Sequence, residues 1–344
     1  MADGIPHLAF ESAEAPPGEG RARWQALVEA YEVSLPEAGA EADFAVSSQS
    51  WLVGEVVITH GRLTPVRLTR DAARIAADGR DTFTFGLVTR GELEGDFDGR
   101  ACVLRPGEIC IIDFSRPWRA TTSDTEFILL LVPRPALMAL APRAGDLHGR
   151  RLDGATARIV TEHLLALVRH LGQAAAADAP VLQRATLHMV AASLATLAPE
   201  PAGAPGAGEG RVADRARRYV EDHLARPDLS PAVLCGALGV SRPTLYRAFR
   251  ASGGVANYVQ RRRLEAAHVR LSDAAETRGV ADLALACGFL SHAHFSTAFR
   301  RRFGYAPRDA RRGSASPAGD GAPLDDAALQ FRSWILELTA RLEP

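Results

Sequence analysis

Six arginines, Arg250, Arg261, Arg262, Arg300, Arg301 and Arg302, gather in the last third of the chain. A guanidinium stays charged at every physiological pH and holds five donors in a planar fork, which is phosphate-binding chemistry. The surrounding charge agrees. Between Arg211 and Arg312 stand 19 arginines against 9 acids, a balance of +10, while the remainder has 21 arginines against 32 acids, or −11. The formal net charge of −1 therefore conceals a basic module on an acidic carrier, a distribution suited to a polyanionic partner. The absence of lysine reads as coding bias and carries no functional weight.

Other chemistries find little support. In the strand-like region His60 stands alone, with no second histidine before His148, so no metal site is expected. His292 and His294 lie two apart on a helix and cannot face one ion together, and His163 and His170 suit a solvated helix face. Ser115-Arg116-Pro117 lacks a convincing His/Asp partner set, so no catalytic residue and no cofactor is assigned. Cys102, Cys110, Cys235 and Cys287 form no C-x-x-C pair and read as small buried thiols in a reducing compartment.

The elements that must position the arginines are two unequal copies of one design. The first runs from Leu229 to Arg250. Ser230 is placed to cap a helix with Pro231 in its first turn, Gly239 supplies a tight turn packed by Val240, and Ser241 caps the next helix. Leu234, Leu238, Leu245 and Phe249 are spaced as the small core that locks the two helices. The second repeats this with Leu283, Gly288, Phe289, Phe295 and Phe299, but Leu290 occupies the expected capping position and Ser291 follows it. These are helix-turn-helix signatures. Their second helices, starting near Arg242 and Ser291, are joined by a helix with Val259, Leu264, Ala267 and Leu271 as its buried stripe. A rigid connector of this kind lets one chain address successive major grooves, roughly 34 Å apart, so double-stranded DNA is the expected partner. Arginine contacts to phosphate would position the module without selecting sequence.

The rest of the 344 residues divides by pattern. Residues 1–20, rich in Pro, Gly and acids, read as disordered. A short amphipathic piece follows (Trp24, Leu27, Val28, Tyr31). From about Phe44 to Val132, strand-like runs at Trp51–Thr59, Thr82–Thr89, Glu92–Phe97, Ala101–Leu104, Ile109–Phe114 and Glu126–Val132 are separated by turns such as Asp98-Gly99, which predicts a sandwich or barrel. Helical periods at about 155–171 and 180–197 predict a hairpin that docks on the strands, pairs with a second subunit, or does both. The boundaries that follow are a strand-rich domain with its helical hairpin at 21–198, a linker at 199–210, the tandem helix-turn-helix domain at 211–312, a second linker at 313–323 and an amphipathic helix at 324–344. The seam of that last helix is Leu324, Ala328, Phe331, Ile335, Leu338 and Leu342. The fold class is α+β, a β-barrel with a helical hairpin linked to an all-α domain. A small barrel can enclose a ligand, and Trp51, Arg67, Phe83, Phe85, Arg116 and Trp118 are the candidate walls of an effector pocket. No apolar run nears the roughly 18 residues of a membrane span, and the polar N-terminus does not read as a signal peptide. A cytoplasmic location is expected.

Residues 211–312 resemble the DNA-binding domain of the AraC/XylS family of bacterial transcriptional regulators. The resemblance rests on Leu-Gly-Val-Ser-Arg-Pro-Thr-Leu-Tyr-Arg-Ala-Phe at 238–249, on Arg263-Leu264 with Ala267, and on the run from Gly288 to Pro307. More loosely, Leu104-Arg-Pro-Gly-Glu108 and Ile111-Ile-Asp-Phe-Ser-Arg-Pro117 resemble the family's cupin-like sensor half. The resemblance implies base-reading roles for Pro243, Tyr246 and Arg247, with Arg242 near phosphate. In the second unit it implies base reading by His292, Ala293, Ser296 and Thr297. Thr297 stands where many relatives carry a long arginine, so the second helix is expected to anchor more than it reads. For Arg263 the resemblance implies a structural ion pair. It further implies a homodimer, a small-molecule effector, contact with RNA polymerase and, most often, activation of transcription. Two alternatives stand beside it: a first half that only dimerises or binds a protein partner, and a cupin-type enzyme tethered to DNA.

Overall fold

Up to Ala310, twelve strands and twelve α-helices organise the described residues, and their pairing is set by which faces must leave water. The computed structural model describes residues 4–16, 18–36, 44–78, 80–141, 144–197, 207–250, 252–272, 276–303, 305–310, 330–331 and 333–335. They fall into two units, one reaching to Ala207 and one from Gly208 to Pro323, with the C-terminal segment shared between them.

The first unit contains β1 (His7–Glu11), β2 (Glu32–Ser34), β3 (Val46–Val53), β4 (Val56–Leu63), β5 (Arg67–Arg70), β6 (Thr82–Arg90), β7 (Leu93–Asp96), β8 (Ala101–Leu104), β9 (Ile109–Asp113), β10 (Trp118–Thr122), β11 (Thr125–Pro133) and β12 (Arg150–Leu152). Its helices are α1 (Gly20–Leu27), α2 (Ala72–Asp78), α3 (Arg134–Leu140), α4 (Gly154–His170) and α5 (Ala179–Leu194). The strands form a seven-stranded sheet, β1-β3-β4-β11-β6-β9-β12, and a five-stranded sheet, β2-β5-β10-β7-β8. Alternation along the central strands explains the layering. Phe83, Phe85, Leu87, Ile111, Ile128 and Leu130 pack with Leu137 of α3, Val160 and Leu164 of α4 and Val190 of α5. The neighbouring residues Val88, Cys110 and Ile112 point the other way, to Cys102, Leu104 and Trp118 of the smaller sheet and to Phe97 in the turn after β7. Both faces of the large sheet are covered, which is why β6 and β9 read as nearly unbroken apolar runs.

Several expectations change here. The α+β class stands, with a sheet-rich first unit and a helical second one, but the barrel is two open sheets: among the described residues no strand pairing joins one to the other. The first twenty residues carry an ordered strand. Leu8 and Phe10 of β1 are buried, and the strand pairs with β3. The run Trp51–Thr59 is a hairpin, not one strand, because Gly54 (φ +63°) reverses the chain between β3 and β4. The hairpin α4–α5 docks on the large sheet, while Ile159 and Val181 remain 61% and 53% exposed.

Two buried arginines fasten the ends of the strands. Arg134 pairs with Asp81 at 2.5 Å and with Asp113, and stacks over Phe83. Arg70 makes two 2.8 Å bonds to Asp78 and donates to the Phe114 carbonyl. His148 is buried beside Asp113: its Nδ1 accepts the Asp113 amide at 2.9 Å and its Nε2 lies 3.3 Å from the Pro117 carbonyl. Burial, then repulsion from Arg116, lowers its pKa to about 4, so the ring is neutral with the proton on Nε2.

The second unit contains α6 (Ala207–Asp222), α7 (Pro231–Leu238), α8 (Arg242–Ala248), α9 (Val255–Ser272), α10 (Val280–Ala286), α11 (His292–Phe303) and α12 (Pro307–Ala310). α6 begins inside the stretch expected to be linker; residues 199–206 of that linker, like 313–323, lie outside the described residues. So does most of the 324–344 helix. Its described part is helical, with Phe331, Trp334 and Ile335 buried. Among the described residues no helix is long and apolar enough to cross a membrane.

Candidate nucleic-acid interface

The two helix pairs start from the same local chemistry. Ser230 Oγ accepts the Val233 amide and Ser241 Oγ accepts the Thr244 amide, each at 3.4 Å, with Pro231 and Pro243 in the first turns. Gly239 ends α7 in the left-handed conformation at φ +65°. In the second pair Gly288 plays that part at φ +84°. Ser291 Oγ accepts the His294 amide, again at 3.4 Å, so α11 is capped as α8 is. The second helices of the two pairs therefore differ in the length of the turn before them, not in their capping. Gly239 and Ser241 are two positions apart, whereas Gly288 and Ser291 are three apart, and the additional Leu290 is 79% exposed. At the start of the second pair Gly279 gives α10 no side-chain cap.

One helix serves both cores. Val255, Tyr258 and Val259 of α9 pack with Leu234, Leu245 and Phe249 of the first pair and with Ala216 and Val220 of α6. Further along α9, Leu264, Ala267 and Leu271 pack with Leu283, Phe289, Phe295 and Phe299 of the second. A chain of charges crosses at the midpoint. Glu221 of α6 receives Arg262 Nε and Nη2 at 2.8 and 3.1 Å, Arg262 Nη1 reaches Glu265 at 2.7 Å, and Glu265 receives Arg302 of α11 at 3.2 Å. Burial alone would depress the pKa of Arg262, but the Glu221 and Glu265 carboxylates hold it well above its ordinary value.

That network corrects part of the expected phosphate set. Arg262 is 3% exposed and Arg261 8%. Arg261 lies over Tyr258 and 4.0 Å from Glu265. Both are interior groups of the domain and cannot meet a phosphate, and Arg302 is half-buried in the same network. Their acidic partners lie on another helix or one turn along the same one, so a cluster that reads as phosphate-binding in sequence is partly spent inside the domain. Arg263 is structural, but through backbone carbonyls: it donates to Leu224 and Arg226.

The remaining candidates are where a duplex could reach them. On α8, Arg242, Pro243, Tyr246, Arg247 and, just beyond, Arg250 are exposed, opposite the buried Leu245 and Phe249. On α11, His292, Ala293, Thr297, Arg300 and Arg301 are exposed and Ser296 is half-buried beneath His292, 3.4 Å away. Phe295, Ala298, Phe299 and Phe303 fill the opposite side. Each helix thus offers polar and cationic groups along one face from a capped N-terminus, the arrangement that inserts into a major groove. Leu290, at the position expected to cap α11, is instead an exposed residue of the longer turn, and Ser291 is the cap.

The effector-pocket candidates do not converge. Trp51, Phe83 and Phe85 are buried in the core between the large sheet and the helices, and Trp118 lies between the two sheets. Arg67 is exposed on β5, and Arg116 is bound to Asp98 at 2.7 Å. A groove elsewhere, at the edge strands β8 and β12, is lined by Arg100, Cys102, Val103, Gly149, Arg150 and Arg151, among others.

Comparison with known proteins follows this division. The sequence model of an AraC-binding-like domain matches residues 21–195, half of the chain, and that of a helix-turn-helix domain matches residues 234–313. The transcriptional activator NphR of a Rhodococcus species is 28% identical over 316 residues, spanning 87% of this chain and 91% of that protein. The transcriptional activator RhaS of Escherichia coli O139:H28 is 38% identical over 99 residues, 28% of this chain and 34% of RhaS; that likeness concerns about a third of RhaS. Among solved structures, the AraC-like transcriptional activator CuxR superposes with a TM-score of 0.57 and 27% identity over 82% of this chain and 100% of its own.

Proposed function

The chain belongs to the AraC family of transcriptional regulators, and on that premise we propose that it is a sequence-specific activator whose α8 and α11 enter successive major grooves of one promoter. The observation that carries this reading is the pair of capped helices with exposed polar faces, both seated on α9. Base reading is assigned to Pro243, Tyr246, Arg247, His292, Ala293, Ser296 and Thr297, and phosphate contact to Arg242, Arg250, Arg300 and Arg301. Arg247 has the greatest share, since a guanidinium bonds guanine O6 and N7 in bidentate fashion. RNA polymerase is the partner that activation requires. NphR, RhaS and CuxR are all named as activators, which supports the direction of regulation. Hydroxyl-radical footprinting on the target promoter tests the reading: two protected tracts on one face, about one helical turn apart, are expected. A single tract overturns the two-groove arrangement.

In this reading the first unit forms a homodimer in the bacterial cytoplasm and answers a small effector. The outward Ile159 of α4 and Val181 of α5 favour self-association of the helical face. The burial of Trp51, Phe83 and Phe85 in the core favours the narrower version, in which this unit only dimerises. Sedimentation of an Ile159→Asp, Val181→Asp double variant separates the possibilities for that face: a monomer supports it, and an unchanged dimer moves the contact elsewhere.

A further inference from the structure

Cys102 and Cys110 stand on either side of the turn that carries the chain from one sheet to the other. Cys102 is on β8, the edge of the five-stranded sheet, and Cys110 is on β9 of the seven-stranded sheet. Their sulfurs are 4.0 Å apart within the layer between the sheets. The two are not equivalent. Cys102 keeps 6% of its surface exposed and lines the edge groove with Arg100, Arg150 and Arg151, whereas Cys110 is 0% exposed and takes no part in that lining. A small molecule entering the groove meets Cys102 first.

We propose that Cys102 and Cys110 form a two-thiol modification site that a hydroperoxide converts to an intramolecular disulfide. The Cys102 thiolate attacks one peroxide oxygen, so an S–O bond forms as the O–O bond breaks. The departing oxygen takes a proton and leaves as an alcohol, or as water from hydrogen peroxide. Cys102 is now a sulfenic acid, oxidised by two electrons while the peroxide is reduced by two. The Cys110 sulfur then attacks the Cys102 sulfur and gives up its proton. The S–S bond forms, the S–O bond breaks, and the hydroxyl leaves with that proton as water. The sulfurs must close from 4.0 Å to about 2 Å.

The surroundings assign the order of events. The hydrogen bond with Cys110, then the charges of Arg151 and Arg100, hold the Cys102 thiol below its usual pKa against burial and Glu108. Burial, then the same hydrogen bond, pushes Cys110 well up. Cys102 is thus the attacking thiol and Cys110 the resolving one. The product staples β8 to β9, and so one sheet to the other. This chemistry stands independently of any non-covalent effector.

The test uses the reduced full-length protein, hydrogen peroxide, and alkylation with peptide mapping. Expected is the peptide carrying both cysteines, lighter by two hydrogens and closed to alkylation at both, with dithiothreitol restoring it. Half-buried Cys235 should react more slowly. Cys110→Ser should stop at the sulfenic acid, trapped by dimedone on Cys102, and Cys102→Ser should give no adduct at residue 110. Cys102 and Cys110 both fully alkylated after peroxide, at doses that oxidise Cys235, overturn the proposal. That result needs no variant, so it decides the matter even if a serine substitution disturbs folding. A dimedone adduct on Cys110 in place of Cys102 overturns the assigned order.

Discussion

Replacing Arg262 by methionine should loosen the whole DNA-binding unit while leaving the electrostatics of DNA binding almost untouched. The side chain is 3% exposed and donates to Glu221 through Nε and Nη2 and to Glu265 through Nη1. Breaking a buried ion pair by removing one partner costs about 3–5 kcal/mol. The loss should fall near the lower figure, because Glu265 keeps Arg302 at 3.2 Å and Arg261 at 4.0 Å, and Glu221, about 20% exposed, can recover water. A loss of about 3 kcal/mol corresponds to roughly a hundredfold rise in exchange rate for amides that open with the unit. Hydrogen exchange of the α9 amides in the full-length protein measures it. The salt dependence of promoter affinity supplies the opposing test. A phosphate-contacting arginine lowers the slope of log K against log salt by about 1 when removed, and no such change is expected here. Unchanged α9 exchange together with a reduced slope would refute the structural assignment and return Arg262 to the DNA surface.

Arg247→Ala should lose discrimination at one base position by about 1–3 kcal/mol; competition binding with single-base operator variants reads it, and unchanged selectivity sinks the base-reading role. The two turn glycines should tolerate alanine unequally. Gly239→Ala meets only its left-handed backbone, about 1–2 kcal/mol, since nothing lies within 4 Å of the added carbon. Gly288→Ala also drives that carbon to 2.8 Å from the Leu224 carbonyl and Arg263 Nε, raising the loss to about 3 kcal/mol or more; equal losses in urea melts followed by helical circular dichroism would reject the steric argument. For His148 the folded pKa of about 4 lies below the ordinary 6.5, so the unfolded chain binds the extra proton first and stability falls as pH drops from 6.5 towards 4. The full loss is about 3 kcal/mol below pH 4. A His148→Gln variant should lack that component, and parallel pH profiles for the two proteins would contradict it.

The legible parts of the sequence were those encoded locally. Ser230, Pro231, Gly239 and Ser241 specify their caps and turn within a few residues of themselves, so the first helix pair was readable position by position. Ser291 was misjudged because the turn before it is one residue longer, and turn length is set by packing of Phe289 and Gly288 against α9 and the segment after α6. The buried stripe of α9 was visible as period. The destination of its arginines was not, since Glu221 lies 41 positions from Arg262 and only the folded chain brings them together. The same reason hid β1: His7–Glu11 alternates, but its partner strand β3 begins at Val46, and the Pro- and Gly-rich surroundings suggested no partner at all. Two sheets in place of a barrel is likewise a matter of long-range pairing. Four of the pocket candidates, Trp51, Phe83, Phe85 and Trp118, are large and aromatic, properties that a core residue shares with a binding wall.

The seating of both helix pairs on α9 turns a question about DNA into one about helical pitch. Each residue of an α-helix advances about 1.5 Å and turns about 100°. Inserting one residue between Val259 and Leu264 would therefore swing one reading head about 100° around the other, off the face of the duplex it shares. On the proposed reading, half-site spacing is a dimension of this backbone, and the letters read belong to the exposed side chains of α8 and α11. Divergence at Arg247 or Thr297 would rewrite the operator's bases while its spacing stayed fixed. Operators of diverged copies of this chain should accordingly differ in content before they differ in length.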